Sequence, residues 1–303
     1  MNRVTPIETT GRNERDGGPA GSSAPVVTYR RMNADDLPAA HGLTQVLRWA
    51  HRLEDWHFLL RLGTGFVAQK NGTVIGTALC WKFGDAHASL GSIIVSPQQQ
   101  GKGIGRELMN RVLEELGERS IQLCATPAGQ PLYEKLGFVP TGTIVQHQGT
   151  MQQTAPLALA AGERIRPVTA GDLQALAALA TRALGMPRDE VMAQLLNVAE
   201  GVLIESNGQA VGFSTIRRFG RGHVIGPVVA PNTQRSKALI AHWAQAYAGS
   251  FVRVDVTGES GLSAWVESLG LALIEPGVSM ARGQAPASDG TVKQYAVVNQ
   301  AIG

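Results

Sequence analysis

Cysteine is scarce in this sequence: Cys80 and Cys124 are the only two in 303 residues, and each lies in an apolar, strand-like run. Two cysteines exclude a disulfide-stapled scaffold and are expected as free, buried thiols in a reducing compartment. Charge is also thin, at 17% of residues, with 27 Lys plus Arg against 24 Asp plus Glu for a net charge of +3. No block of like charges exceeds two or three residues, so the concentrated basic face that phosphate backbones require is missing and nucleic acid is not an expected partner. No stretch approaches the ~18 consecutive apolar residues of a membrane span. The first residues, Met-Asn-Arg-Val-Thr-Pro, carry no apolar core of a secretory signal. A cytoplasmic location without membrane association is the expectation. What is present is 44% hydrophobic residues, enough to offset chain entropy, over a length that suits two compact units of roughly 150 residues.

Residues 1–26 are rich in Gly, Ser, Pro and Thr, show no hydrophobic period, and read as a flexible tail. Beyond them the chain repeats itself at a shift near 136. Asp36-Leu37 matches Asp172-Leu173, Asn71-Gly72 matches Asn207-Gly208, and Phe83-Gly84 with His87 matches Phe219-Gly220 with His223. Glu134 and Leu136-Gly137 match Glu267 and Leu269-Gly270 at a slightly smaller shift. The order is kept throughout, which predicts two copies of one supersecondary plan: residues 27–151 and 164–283, joined by a linker over 152–163 and followed by a segment over 284–303. In each copy Asn-Gly separates two apolar runs, and because this pair tolerates φ > 0 at both turn positions it predicts hairpins over Phe66 to Trp81 and Val202 to Ile216. A third strand follows in each copy, Ala88 to Val95 and Val224 to Val229. Ile104, Leu108, Met109, Val112, Leu113 and Leu116 then form one apolar helical face.

The chemistry concentrates where the first copy's third strand ends. After Pro97 comes a glycine-rich turn, Gln100-Gly101-Lys102-Gly103-Ile104-Gly105-Arg106, and a helix starts at once. Unpaired backbone N–H groups at a helix N-terminus favour an anion such as pyrophosphate, and glycines let the backbone approach it. A Walker loop needs Ser or Thr after Gly-Lys, and Gly103 stands there. A dinucleotide fingerprint needs G-x-G-x-x-G within βαβ units, and neither is present. Gln100-x-x-Gly103-x-Gly105 after a strand instead resembles the acyl-CoA motif of the GNAT N-acetyltransferase superfamily. Leu132-Tyr133-Glu134-Lys135-Leu136-Gly137-Phe138, some thirty residues on, is similar to that superfamily's second hallmark. The likeness covers roughly Val27 to Gly149 and is nearest to tandem bacterial members whose second lobe has lost the motif.

The resemblance implies an α/β (α+β) fold of two tandem lobes, each a mixed, mostly antiparallel sheet flanked by helices. It implies acetyl-CoA as co-substrate, with the backbone of Ile93, Ile94 and Val95 on the pantetheine arm and Gln100, Gly101, Lys102, Gly103, Ile104, Gly105 and Arg106 around the pyrophosphate. It also implies direct transfer to a neutral amine with Tyr133 protonating the departing thiolate, as a phenol of pKa ≈ 10 is able to do. The general base is a gap. Many relatives place a carboxylate where this chain has Leu90, Gly91 and Ser92, so Asp85, His87 or an ordered water are the candidates. In His51-Arg-Leu-Glu-Asp-Trp-His57, Glu54 and Asp55 are candidates to pair with a cationic amine and Trp56 to wall its pocket. No His-Glu-x-x-His occurs, and no metal is expected.

The second copy fails the same test. Asn232-Thr-Gln-Arg-Ser-Lys-Ala238 follows its third strand without a glycine, and Val266 stands where Tyr133 would. One acetyl-CoA per chain is expected, with the first copy able to bind it alone. Arg217, Arg218 and Arg221 form a local basic cluster, suited to an anion or to a solvated loop. The leading reading is an acetyl-CoA-dependent N-acetyltransferase for a primary amine, with a small molecule the expected partner; the rival is an acyl-CoA-binding sensor without turnover. Tyr133 favours the enzyme, since a binder needs no acid at the sulfur.

Overall fold

The two Asn-Gly pairs turn as their sequence requires, with φ of 51° and 77° at Asn71 and Gly72 and of 50° and 75° at Asn207 and Gly208. The structure, a computed structural model, describes residues 26–303; the tail expected over residues 1–26 lies, Val26 apart, outside the described residues. The first half comprises β1 (Val27–Arg31), α1 (Leu37–Val46), α2 (Leu53–Leu62), β2 (Thr64–Lys70), β3 (Thr73–Phe83), β4 (His87–Val95), α3 (Ile104–Leu116), β5 (Ser120–Ala125), α4 (Gln130–Lys135) and β6 (Val139–Thr150). The second runs through β7 (Glu163–Pro167), α5 (Leu173–Leu184), α6 (Asp189–Leu196), β8 (Ala199–Ser206), β9 (Gln209–Phe219), β10 (Gly222–Ala230), α7 (Thr233–Ala246), β11 (Phe251–Thr257), α8 (Ser263–Ser268) and β12 (Ala272–Arg282). It is followed by β13 (Lys293–Ala296), which has no counterpart in the first half.

The repeated Asp-Leu has a structural reason. Asp36 accepts two hydrogen bonds from the Arg30 guanidinium, at 2.7 and 2.6 Å, and one from the Asn33 backbone at 2.9 Å. Asp172 repeats the arrangement with Arg166, at 2.8 and 2.7 Å, and with the Thr169 backbone at 2.8 Å. Each carboxylate thereby ties its first strand to the start of its first helix. The leucine after it packs inward, Leu37 fully buried and Leu173 against the core.

All thirteen strands form one sheet, in the order β1-β2-β3-β4-β5-β12-β6-β11-β13-β10-β9-β8-β7. The sequence boundary between the halves is therefore not a boundary in the sheet. Strand β6 leaves the first half to pair with β11, Phe251 opposite Thr150 through Thr257 opposite Ile144. Strand β12 crosses the other way and pairs with β5, Val278 opposite Ala125 through Arg282 opposite Ile121. The two exchanged strands pair with each other at the centre. The exchange argues against a first copy that binds cofactor by itself: cut at residue 151, its β5 loses β12 as a partner and its β6 loses both neighbours. A core shared by the halves adds to the tie, with Leu37, Trp56 and Trp81 in one cluster with Leu176, Phe213 and Val298.

Helix α3 lies on one face of the first half's sheet. Its Ile104, Leu108, Met109, Val112 and Leu116 are buried in one core with Ala78, Cys80, Ala88 and Leu90, and Leu113 is partly buried beside them. Helices α1 and α2 take the opposite face, with Leu79, Trp81 and Phe83. The period-two alternation along β3 produces this split.

Candidate active site

Strands β4 and β5 are parallel neighbours only from His87–Ser89 to Ser120–Gln122. From Leu90 onward they diverge, leaving the β5-facing edge of β4 without a strand partner. The divergence coincides with a bulge: Leu79 pairs with Gly91 and Thr77 with Ile94, while Ser92 between them adopts φ 51°. The Thr77 hydroxyl donates to the Ser92 carbonyl at 2.8 Å and fixes the bulge. Along this stretch Ile94 is buried, whereas Ile93 and Val95 are partly exposed.

At the open end, β4 runs into the glycine turn. Gly101 and Gly103 have φ of 75° and 79°, and a Cβ added at either would meet nothing within 4 Å. Six consecutive backbone N–H groups, from Gly101 to Arg106, find no acceptor among the described residues, the first intrahelical bond being Glu107 N–H to the Gly103 carbonyl at 3.1 Å. Together with the helix dipole they form a concave set of donors for an anion. The Gln100 side chain closes the turn by donating to the Val95 carbonyl at 3.1 Å. Lys102 folds back on the Gln98 carbonyl and the Gln99 side chain, both at 3.0 Å, and Ile104 anchors the helix in the core, so both contribute backbone. Arg106 is exposed and makes no ion pair among the described residues.

Tyr133 stands on α4, just after β5, with its ring edge-on to Phe138 at 6.1 Å and only 8% exposed. Its hydroxyl makes no hydrogen bond among the described residues. Burial, reinforced by the neighbouring Cys124, pushes the phenol up to about 12, so it remains protonated at neutral pH. Both cysteines are free and their thiols are likewise raised to about 12 by burial.

On the face opposite α3, the divergence opens into a cavity of about 400 Å³. Leu90, Gly91 and Ser92 of β4 and Cys124 to Pro127 at the end of β5 form its floor, and the α1–α2 loop from Leu47 to His51 forms one wall. Gln146 and Gln148 of β6 line it as well, and the second half supplies the remainder: Phe219, Arg221, Arg253, Ile274 to Gly277, and Asn299 to Ala301. None of these second-half residues was singled out as an acceptor contact in the sequence except through the basic cluster, of which Arg221 lines the cavity. Arg217 is buried instead, with its guanidinium 3.3 Å from Asp55.

Several expected site residues lie elsewhere. Asp85 is fully exposed in the β3–β4 turn, 3.7 Å from Arg119. His87 opens β4 at its closed end, five residues or about 16 Å of strand from Ser92, and neither side chain lines the cavity. Both lie before the divergence, away from the lining of the cavity. Asp55 is 3% exposed and bound by Arg52, Arg217 and the Gly220 backbone, so it ties the two halves together rather than facing an amine. Trp56 is wholly buried in the core, and exposed Glu54 lies off the cavity.

The second half has the same divergence, and it is filled. β10 and β11 are parallel neighbours from His223 to Ile225, after which β13 inserts between them, pairing with Val228 to Ala230 on one side and Val256 on the other. The helix that follows is capped by its own chain, the Asn232 side chain accepting from the Arg235 N–H at 3.0 Å. Among the described residues no group of three His, Cys, Asp or Glu is placed to hold a metal ion, and no helix is long and apolar enough to cross a membrane.

Two family models match the chain: the acetyltransferase (GNAT) family over residues 30–138 and an acetyltransferase (GNAT) domain over residues 176–296. Over 262 residues it is 27% identical to the uncharacterized N-acetyltransferase YitH of Bacillus subtilis, covering 82% of this chain and 89% of that protein. It is 32% identical over 93 residues to the L-amino acid N-acyltransferase MnaT of Escherichia coli, spanning 26% of this chain and 52% of that one. In fold it resembles a putative acetyltransferase from Pyrococcus horikoshii, with TM-score 0.74, 19% identity and coverage of 91% and 96%. A tandem GNAT protein from the clavulanic acid biosynthesis pathway superposes with TM-score 0.61 at 14% identity, covering 85% of this chain and 98% of that one.

Proposed function

The chain belongs to the GNAT superfamily as a tandem, two-lobed acyltransferase, and we propose that it transfers the acetyl group of acetyl-CoA directly to a primary amine of a small molecule. The observation that carries this reading is the pairing of six acceptor-less N–H groups at Gly101 to Arg106 with the free edge of β4. A helix start alone leaves four such groups, not six, and has no need of a free strand edge beside them.

Acetyl-CoA, when bound, supplies the acetyl thioester. The glycine turn holds its pyrophosphate, with Arg106 as the one side-chain cation of the turn not already engaged. The backbone from Leu90 to Val95 hydrogen-bonds the pantetheine arm and polarises the thioester carbonyl. The acceptor amine enters from the cavity on the opposite face, so the two substrates meet between β4 and β5. As the C–N bond forms and the C–S bond breaks, the Tyr133 hydroxyl gives its proton to the departing sulfur, and the amine's proton passes to water in the cavity.

The division into residues 27–151, 152–163, 164–283 and 284–303 belongs to this proposal as a division of labour. The first copy holds cofactor and acid, and the second, with its own cleft filled by β13, walls the acceptor cavity. The test is thiol release from acetyl-CoA, followed with a chromogenic disulfide across a panel of amines. Release that rises with added amine supports the transfer; tight acetyl-CoA binding with no amine-dependent release would favour the sensor instead.

A further inference from the structure

Resting on the acyl-transfer reading, we propose that the acceptor is a small amine that also carries a carboxylate, and that the second half of the chain selects it through Arg221 and Glu275. The cavity presents four charged side chains, Arg48, Arg221, Arg253 and Glu275, together with His51. Arg253 is compensated: its Nε and Nη2 donate to the buried Asp255 carboxylate at 2.9 and 2.7 Å. Burial depresses His51 to about 4, which leaves it neutral. Among the described residues Arg221 has no carboxylate within ion-pairing distance; its guanidinium lies 4.8 Å over the Phe251 ring, an arrangement that leaves the edge of the fork available. Arg48, held at φ 58° in the α1–α2 loop, likewise has no acidic partner among the described residues, and Glu275 has no basic one.

The lining of the cavity thus includes two exposed arginines and one exposed glutamate that have no counter-charge among the described residues. A simple cationic amine or polyamine would enter a field of net positive sign, whereas an amino-carboxylate answers both signs at once. The placement of Glu275 gives the molecule a direction. It sits on β12 between Leu273 and Pro276, where the register to β6 shifts, and two residues later Gly277 packs against Cys124 at the open end of β5. An ammonium drawn to Glu275 is therefore at the mouth of the β4–β5 cleft, while a carboxylate on Arg221 lies toward the β9–β10 turn. The uncharged amides of Gln146, Gln148 and Asn299 leave this polarity unchanged. A volume of about 400 Å³ is near the lower limit of small-molecule pockets and suits an acceptor of amino-acid size.

The experiment compares L-amino acids with their carboxamides as acceptors for the full chain. The expected result is a kcat/KM at least tenfold higher for the acids, with Arg221→Gln reducing that ratio toward one chiefly through KM and Arg221→Lys retaining part of it. Glu275→Gln should raise KM for both members of each pair. Carboxamides that match or exceed the acids would overturn the acceptor assignment while leaving acyl transfer intact. If no amine releases CoA, acyl transfer itself fails, and calorimetry with the same amino acids decides the recognition separately. Binding that weakens at least tenfold in Arg221→Gln sustains it, and absence of binding, or binding indifferent to Arg221, refutes it.

Discussion

Replacing Gly103 by Val separates cofactor binding from folding, because the structure assigns a different magnitude to each. Gly103 has φ 79°, a region that costs an L-residue about 1–2 kcal/mol. No heavy atom lies within 4 Å of the new Cβ, so no clash adds to that strain in the free protein. For a chain of this size the loss lowers the unfolding midpoint by about 2–3 °C. The effect on acetyl-CoA should be larger than this shared strain explains. A branched side chain inside the concave run of N–H groups blocks the approach of pyrophosphate, and at least tenfold loss of affinity, about 1.4 kcal/mol, is expected. Gly208→Val is the control: φ is 75°, the space around its Cβ is equally open, and it lies in the hairpin of the second half. It should lose the same few degrees and no affinity. Scanning calorimetry reads the first quantity and isothermal titration with acetyl-CoA the second. A folded Gly103→Val protein with unaltered affinity would falsify the cofactor assignment, and equal affinity losses in both variants would show that strain alone is responsible.

Tyr133→Phe should lower kcat by about 10²-fold under conditions where chemistry limits the rate, with acetyl-CoA affinity nearly unchanged; a wild-type rate would reduce Tyr133 to packing. Because burial raises this phenol to about 12, the kcat profile should show no falling limb from its ionisation up to about pH 10, and a limb there that vanishes in Tyr133→Phe would contradict the assignment. Arg30 and Arg166 hold the carboxyls of Asp36 and Asp172 below their unfolded value near 3.9, so each contributes stability that is fully present above about pH 5 and lost as pH falls through the folded value. Thermal midpoints measured from pH 6 to pH 2 should fall accordingly, and less steeply in Asp172→Asn. Titration of the full chain should find one acetyl-CoA, since β13 occupies the second cleft; two equivalent sites would refute that asymmetry.

The Asn-Gly turns, the helix over 104–116 and the glycine cradle were legible because each depends on a few contiguous residues whose backbone preferences act locally. The repeat was legible because matched pairs such as Asp36 and Asp172 make the same local capping bonds. The exchange of β6 and β12 was not, since a strand's own alternation says which face is buried and nothing of which neighbour pairs with its edge. The acceptor pocket failed for the same reason. Asp55 reads as an exposed acid on an amphipathic helix until Arg217, 162 residues away, is brought against it. Arg221 and Glu275 come to line the cavity only when the second half packs against the first. Nor did any motif in residues 284–303 mark β13 as the filling of a cleft.

The exchanged strands also bear on why a lobe without a working cradle persists. Two copies that each lend their last strand to the other have the architecture of a domain-swapped dimer joined into one polypeptide. In such a chain, folding and chemistry impose unequal demands on the copies: both must supply a strand, but only one must keep its cleft. Loss of glycines in the second turn, and insertion of a strand into its cleft, are permitted changes because they leave β12 in place. Deleting that copy is not, since it would strip β5 of β12 and the cavity of the residues the second copy contributes to its wall. Duplication here released one cleft from catalysis while holding its frame hostage to the other's fold.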